Sequence, residues 1–502
     1  TPLARRGAVN DERALLDTLL RVRAAMLGAE RRAAERIATR GPGEAESTRN
    51  FLHYHAMRAF ELRPLQDALG RFGLSSLGRC EAHALASVDA VIGVRGRLTG
   101  EPAPLEPSDG APSFDAGRAR LRARTEEVLG PEPPGRSVRI MVTLSADDAG
   151  DPAPVRLLVE RGMDVARINC AHDDVDVWAA LVRNVRAASE ATGRACRVAM
   201  DLGGPKLRTG PVSAEIVVRR GDRLRLCRAP RTGEPARVGD RGEVVPAFVS
   251  CSLPEALASV TAGERVFFDD GKIGGVVEEA DAEGLVVRVT FARDAGGKLR
   301  EDKGINLPDS ALAIDALTEL DRAHLPFVAK NADLVGISFV QSPEDVDALE
   351  DELLRHESSA RMLLKIETKR GFEALPRILV RALGARPFGV MIARGDLAVE
   401  CCYERLAEVQ EEMLWLCEAA HVPVVWATQV LDRLSRKGVP TRAEITDAAM
   451  AERAEAVMLN KGAHVAEAVR VLDDILRRMA AHQYKKTPAL RPLAVSRADP
   501  LV

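Results

Sequence analysis

The sequence predicts an α/β protein whose main body is a (β/α)8 TIM barrel, with a small β-barrel lid domain inserted after strand 3 and an α-helical N-terminal region in front. Three observations carry this. Short apolar runs ending in polar residues alternate with helical patterns through the C-terminal two thirds, which implies parallel strands joined by crossover helices. The run ends advance by roughly 25 to 35 residues, the pace of a barrel of about 250 residues. Between Leu202 and Phe339 alone, the spacing holds about a hundred surplus residues of a different texture.

The predicted strands are Val138 to Leu144, Asp164 to Cys170, Arg197 to Leu202, Leu334 to Phe339, Met362 to Glu367, Phe388 to Ile392, Val422 to Ala427 and Ala456 to Leu459. Helical patterns separate them, among them Val155 to Arg161, Val175 to Glu190, Pro343 to Leu354, Leu406 to Ala420 and Val465 to Met479. Inside the surplus stretch, Glu215 to Val218, Arg223 to Cys227, Arg265 to Phe268, Gly275 to Glu278 and Leu285 to Thr290 are short strands between Gly and Asp turns. An insertion there emerges at the C-terminal mouth of the barrel, where active sites form, and a lid is expected. Ahead of the barrel, Leu15, Leu19, Val22, Met26, then Phe60, Leu65, Leu69 and Ala86, Val88, Val91 recur at helical spacings, followed by a Pro-rich polar linker, Pro102 to Ser113. His53 and His55, two apart, cannot share one helix face and are read as packing or surface residues. The expected organisation is 1–135 helical extension and linker, 136–206 first part of the barrel, 207–302 lid, 303–482 second part of the barrel and 483–502 tail.

A formal charge of −3 disfavours an extended nucleic-acid surface, and no long uncharged apolar run suggests a membrane span. Small-molecule chemistry or protein partners are expected instead. The eight cysteines form no CxxC pair and several lie in apolar runs, as in a reducing cytosol, so a cytoplasmic protein is predicted. Thr1 to Asn10 has no apolar segment of the secretory type.

The strand ends supply the chemistry. Lys365 and Glu367, in Leu364-Lys365-Ile366-Glu367-Thr368, are two residues apart on a strand and share a face. One βα unit later, Asp396 follows the next apolar run in Ala393-Arg394-Gly395-Asp396-Leu397. Two carboxylates at adjacent strand ends suit Mg²⁺ or Mn²⁺, and Lys365 would neutralise a transferring phosphoryl group. Strand 2 adds Arg167, Asn169 and His172; strand 3 adds Asp201 and then Gly203-Gly204-Pro205-Lys206-Leu207-Arg208; Ser338 and Thr428 complete the mouth. Singly, each has a bland explanation: an ion pair for Lys365 with Glu367 or Arg167 with Asp201, a turn for Arg394-Gly395-Asp396, a helix N-cap for Thr428. Their convergence on successive strand ends favours a site.

These residues resemble the pyruvate kinase family over roughly Val138 to Met479, through Asp164-Val165-Ala166-Arg167-Ile168-Asn169, Asp201 to Gly210, Asp269-Asp270-Gly271, Lys303-Gly304-Ile305-Asn306-Leu307-Pro308, the Lys365 and Asp396 segments, Ala427-Thr428-Gln429 and Pro440 to Glu444. The resemblance implies phosphoryl transfer between phosphoenolpyruvate and ADP, giving pyruvate and ATP. It implies catalytic roles for Lys365, Arg167 and Thr428, and metal ligation by Glu367 and Asp396. Substrate would be held by Arg167, Lys365, Gly395, Asp396 and Thr428, nucleotide by Asn169, His172, Arg208 and Lys303. Asp270 would be brought over them by the lid, and a homo-oligomer is expected.

The departures matter. Lys206 stands where potassium-requiring members carry Glu, and Ala171 where Ser is usual, so the monovalent-cation pocket of Asn169 and Asp201 is expected to be replaced by Lys206 and K⁺ not to be required. Ser145-Ala146-Asp147-Asp148 replaces the family's Gly-Pro-Ala-Ser loop and adds carboxylates where nucleotide phosphates should approach. Gln341 replaces an Arg, and Leu459 to His464 replaces a longer Ser-Gly-Glu-Thr stretch, with His464 read as a helix-start residue. Nothing of domain size follows Met479 in this sequence, so activation through the family's C-terminal regulatory domain is not expected. Two alternatives stand beside the leading one: a related phosphoenolpyruvate or pyruvate enzyme with a different acceptor, and a non-catalytic phosphoenolpyruvate sensor.

Overall fold

A computed structural model describes residues 12–100, 105, 110–238, 243–312 and 314–488. Eight parallel strands close into a barrel: β1 Arg139–Thr143, β2 Val165–Asn169, β3 Arg197–Asp201, β4 Leu334–Ile337, β5 Arg361–Ile366, β6 Phe388–Ala393, β7 Val424–Val430 and β8 Ala456–Leu459. Each strand pairs with its sequence neighbours, and β8 returns to β1.

Alternation along each strand divides the barrel chemically. Residues turned towards the helices, such as Ile140, Ala166, Val198, Leu364 and Val390, join the large outer core. Those of opposite parity turn inward, and Met141, Val165, Ala199, Leu334, Leu363, Met391, Val425 and Ala456 form a separate apolar cluster at the N-terminal half of the axis. Two residues further along the same inward face the chemistry changes: Val165 leads to Arg167, Ala199 to Asp201, and Leu363 to Lys365. The site is the polar upper layer of the barrel interior.

The lower end is closed by the helix Phe114–Leu129, whose Val128 and Leu129 belong to that inner cluster. At about 1.5–3 kcal/mol for each buried aliphatic side chain, this plug is a substantial part of the barrel's closure. Among the described residues, five α-helices precede it: Glu12–Arg32, Ala34–Ala38, Pro42–Met57, Arg63–Arg71 and Ala84–Thr99. Leu15, Leu19, Val22 and Met26 lie fully buried at the predicted spacing, together with Leu65, Leu69, Val88 and Val91. Phe60 departs from the pattern because it sits in the turn after Met57, 38% exposed. His53 is buried against Glu30, Nε2 to Oε2 2.8 Å. Most of the predicted linker Pro102 to Ser113, the segment Thr1 to Asn10 and the last part of the tail lie outside the described residues.

The N-terminal helices dock on the barrel helices Lys369–Ala382 and Leu406–Ala419. Asn50 Nδ2 donates to the carbonyls of Glu81 (2.7 Å) and Ala419 (2.8 Å). His421, fully buried in this interface, lies 3.0 Å by Nδ1 from Ser47 Oγ and donates from Nε2 to Ala82 O at 2.8 Å.

The inserted segment folds around its own core of Leu224, Leu226, Val249, Val266, Phe268, Leu285 and Val287. Its six-stranded sheet runs in the order Ile305–Asn306, Arg265–Phe268, Ile273–Ala280, Gly284–Phe291, Arg223–Cys227, Ala247–Ser250. Single bridges from Arg208 to Gly304 and from Thr209 to Cys251 tie both edges to one strap. The sheet covers the barrel mouth: Tyr403 Oη donates to Asp270 O (3.0 Å), and Arg265 Nη1 lies 3.1 Å from Cys402 Sγ. Among the described residues, no helix is long and apolar enough to cross a membrane.

Burial pushes the His421 imidazole down to about 4. An unfolded histidine titrates near 6.5, so between about pH 6.5 and 4 the unfolded chain binds a proton that the folded chain refuses. The stability linked to His421 is complete above this range and is lost as pH falls through it, by about 1.4 kcal/mol per unit. The thermal midpoint of the wild type is expected to drop relative to that of His421→Gln as pH goes from about 7 to about 4.5. Glu418 and Glu452, raised to about 7 by burial, act in the opposite sense but equally in both proteins. Parallel midpoint curves would show that another group governs the acid limb.

Candidate active site

Asp201, at the end of β3, is fully buried and faces the axis. Room for it comes from Gly336 on β4, where a Cβ would lie 2.1 Å from Asp201 Oδ1. Arg167 Nε meets Asp201 Oδ2 at 2.6 Å, and Nη1 of the same guanidinium donates to Thr143 Oγ1 at 3.0 Å. Lys365 Nζ approaches Asp201 Oδ2 at 3.8 Å, Glu367 Oε1 at 3.0 Å and Ser338 Oγ at 2.6 Å. Burial alone would raise the Asp201 carboxyl, but Arg167 and Lys365 together hold it below its ordinary value. The buried ion pair expected between Arg167 and Asp201 is therefore present, and it is one part of a larger array.

Burial raises the Glu367 carboxyl; Lys365 opposes this, and Asp396 adds to it. Asp396 lies in the first turn of the helix Arg394–Cys401, which leaves β6 without a connecting loop. Its Oδ2 is 3.0 Å from Lys206 Nζ, and its Oδ1 accepts from Asn306 Nδ2 at 3.3 Å. Asn306 also donates to Glu400 Oε1 at 3.1 Å, so an edge strand of the lid is fastened to the metal-ligand candidate itself. Glu400 is pushed up to about 7, chiefly by burial. Burial pulls the Lys206 ammonium down, yet its pKa is raised because Asp396 outweighs that cost.

The loop carrying Lys206 is set by two glycines. Gly203 N–H donates to Asp321 Oδ1 at 2.9 Å and Gly204 N–H to Asp321 Oδ2 at 3.2 Å, with Asp321 fixed by a capping box with Thr318. Gly204 has φ +69°, and a Cβ there would lie 2.7 Å from Ser338 Cβ, so the turn requires glycine. On the far side of the mouth, Thr428 and Gln429 at the end of β7 have φ 67° and 59°, uncommon for any side chain and strained for a β-branched one. Arg394 holds this conformation: Nε donates to Ala427 O (2.8 Å) and Nη2 to Thr428 O (2.5 Å), while Nη1 and Nη2 grip both oxygens of Asp447 at 2.5 and 2.8 Å. The Thr428 hydroxyl is buried beside Gly395 and has no hydrogen-bond partner among the described residues.

Thus Arg167, Asp201, Ser338, Lys365 and Glu367 form one contact network, Lys206, Asn306, Asp396 and Glu400 form another, and the Glu367–Asp396 repulsion links them. Asn169 sits beside Asp201 in the β2–β3 register, its Oδ1 accepting from Ala171 N–H at 3.3 Å. His172 is exposed on the following turn, which is pinned by Trp178 Nε1–H donating to His172 O at 3.0 Å. Arg208 and Lys303 lie on the lid strap, Arg208 paired with Asp302 at 3.2 Å and Lys303 N–H donating to Thr209 Oγ1 at 2.9 Å. None of these four contacts Lys365 or Asp396 directly.

Ser145 to Asp148 and Lys461 to Ala463 come together in one groove of about 830 Å³ beside Thr143. Asp148 is turned back on its own loop, accepting from Ser145 N–H (2.7 Å) and Oγ–H (2.9 Å). Gln341 N–H donates to Asp345 Oδ2 at 2.8 Å, and His464 starts its helix with N–H donating to Ser435 O at 2.8 Å, a structural position. Sequence reasoning gave no role to Glu400, Arg394 or Asp447. Glu400 carried one signal, its i,i+4 spacing from Asp396 on one helix face. The other two carry none, because they act across elements far apart in the chain.

Among the described residues, no three His, Cys, Asp or Glu side chains converge on one metal position. Glu367, buried, and Asp396, partly buried, form a pair of hard oxygen donors that repel one another, which fits a divalent ion completed by substrate and water oxygens.

The fold and this mouth define a lidded (β/α)8-barrel protein with a carboxylate–lysine centre. Residues 135–469 match the family model for the pyruvate kinase barrel domain. The chain is 35% identical to the pyruvate kinase of Mycobacterium tuberculosis over 349 residues, 68% of this chain and 70% of that protein. It is 30% identical to that of Geobacillus stearothermophilus over 352 residues and 33% identical to human pyruvate kinase PKLR over 346, in each case spanning 57% of the relative. The chain belongs to the pyruvate kinase family.

Loss of the Arg394 fork strands Asp447 and frees two carbonyls. Arg394→Met is expected to lower the free energy of unfolding by about 2–3 kcal/mol in denaturant titrations. Arg394→Lys should restore less than half of that, because an ammonium cannot grip both carboxylate oxygens and two carbonyls at once. A fully restored stability would contradict this assignment.

Proposed function

We propose that this protein transfers a phosphoryl group between phosphoenolpyruvate and ADP, giving pyruvate and ATP. The observation that carries this reading is Lys365, held by Ser338, Glu367 and Asp201 at the centre of the mouth with its ammonium directed between carboxylates. Phosphoryl transfer needs positioning and charge neutralisation more than covalent chemistry, and Lys365 with Arg167 provides two fixed cations for the phosphoryl oxygens.

Glu367 and Asp396 would hold Mg²⁺ or Mn²⁺, which supplies Lewis-acid stabilisation of substrate oxygens when bound. The first N–H groups of the Arg394–Cys401 helix, around Gly395, have no intrahelical acceptors and would receive the substrate carboxylate. Thr428, with its hydroxyl unpartnered and its backbone strained into position, would hold the proton exchanged at the enolate carbon. The nucleotide would approach between the groove at Ser145 to Asp148 and the side carrying Asn169, His172, Arg208 and Lys303. Asp148, already satisfied by Ser145, repels phosphates less than a free carboxylate would.

Lys206, seated on Asp396, supplies a fixed monovalent charge, and on this reading K⁺ is not required. A cytoplasmic homo-oligomer completes the proposal, and light scattering of the full chain reads its order.

Pyruvate release from phosphoenolpyruvate with Mg²⁺ and a panel of nucleoside diphosphates tests the function. Turnover is expected, with Lys365→Met reducing kcat by about 10²–10³-fold or more. Binding of phosphoenolpyruvate without turnover on any diphosphate would contradict the proposal. Replacing tetramethylammonium chloride by KCl at constant ionic strength is expected to change the rate by less than about twofold, since screening is unaltered. A many-fold rise would overturn the role given to Lys206.

A further inference from the structure

A cavity of about 550 Å³, lined by none of the site residues, lies between the N-terminal helices and the barrel. Its charge is one-sided. Arg36, Arg40, Arg377 and Arg381 line it, and no carboxylate does. Apolar surface from Phe51, Leu52, Pro343, Pro376 and Val380 forms its walls.

The arginines are not arranged for stability. Arg377 and Arg381 are four residues apart on the helix Lys369–Ala382 and share a face, where like charges repel. Arg40 faces them from the other side, its guanidinium bonded to Thr48 Oγ1 and Val380 O, both neutral acceptors. Burial, then Arg36, Arg381 and Arg124, pulls the Arg40 pKa down to about 10, with only Glu44 opposing. Around the rim, Asp347 pairs with Arg381 and Glu344 attracts Arg377. For Arg36 no acidic partner is found among the described residues. Arg377 and Arg381 thus have acidic neighbours at the rim, but among the residues lining the cavity there are four cations and no carboxylate, and with its apolar walls it has the composition of a binding site for an anion that carries an apolar body.

We propose that this cavity binds a phosphate monoester of a small organic molecule, the phosphate bridging Arg36 and Arg40 to Arg377 and Arg381 and the organic part lying on Leu52, Pro343 and Pro376. The cavity takes Pro343 from the start of one barrel helix, Pro343–Arg355, and Pro376 to Arg381 from the C-terminal half of the next, Lys369–Ala382. The proposal does not rest on the identity of the reaction at the mouth.

Calorimetric titration of the full chain with phenyl phosphate tests it, with inorganic phosphate and phenol as arms and hydrogen exchange to locate the ligand. Saturable binding of phenyl phosphate is expected, weaker for inorganic phosphate and absent for phenol, with exchange protection in residues 34–40 and 376–384. Arg36→Gln/Arg377→Gln, both at exposed positions, should weaken it about tenfold or more, while Lys365→Met leaves it intact. Absence of saturable binding, equal binding of phenol, or binding lost in Lys365→Met and unchanged in the double arginine variant would overturn the proposal.

Discussion

Asp201 is a fully buried carboxylate at the axis of a barrel, and the rest of the mouth is arranged around keeping it charged. An isolated buried carboxylate would neutralise by taking up a proton; Arg167 and Lys365 prevent this. That requirement fixes both cations, and fixing Lys365 in turn places it beside Glu367. Gly336 exists in its present form because Asp201 occupies the space of its missing side chain. The array closes on itself: three cations, Arg167, Lys206 and Lys365, stand among Asp201, Glu367 and Asp396.

The boundaries of the site come from outside the barrel strands. Val128 and Leu129 complete the apolar lower layer, so the polar upper layer rests on a solid floor. From above, the lid contributes Asn306 to both Asp396 and Glu400. Lid position and the geometry of Asp396 are therefore coupled by hydrogen bonds, and a lid that opened would release Asp396 from one of its two partners.

The barrel was legible in the sequence because its signals are local and repeated. Apolar runs of strand length, the pace of strand ends and one over-long interval suffice for eight strands and an insertion. Lys365 with Glu367 could be paired by period-two geometry alone, and Arg167 with Asp201 by their strand-end positions. Lid strands with clear turns, Arg223–Cys227 and Arg265–Phe268, were equally readable, whereas Ala247–Ser250 and Gly297–Leu299 lacked flanking contrast. What the sequence concealed is cross-chain support. Arg394 reads as a turn residue until the fold brings Asp447 and the Thr428 carbonyl to it, and Lys206 reads as a cation substitute until it is found on Asp396. The left-handed backbone at Thr428 has no sequence signature, since threonine is among the residues least suited to it.

In the proposed function, Glu367 and Asp396 act as one divalent-cation site whose charge is set by the surrounding lysines. Mn²⁺ binding followed by electron paramagnetic resonance on the wild type, Glu367→Gln and Asp396→Asn tests it directly. One bound Mn²⁺ is expected in the wild type, with affinity weakened at least about tenfold in each variant. Wild-type affinity retained in both variants would contradict it.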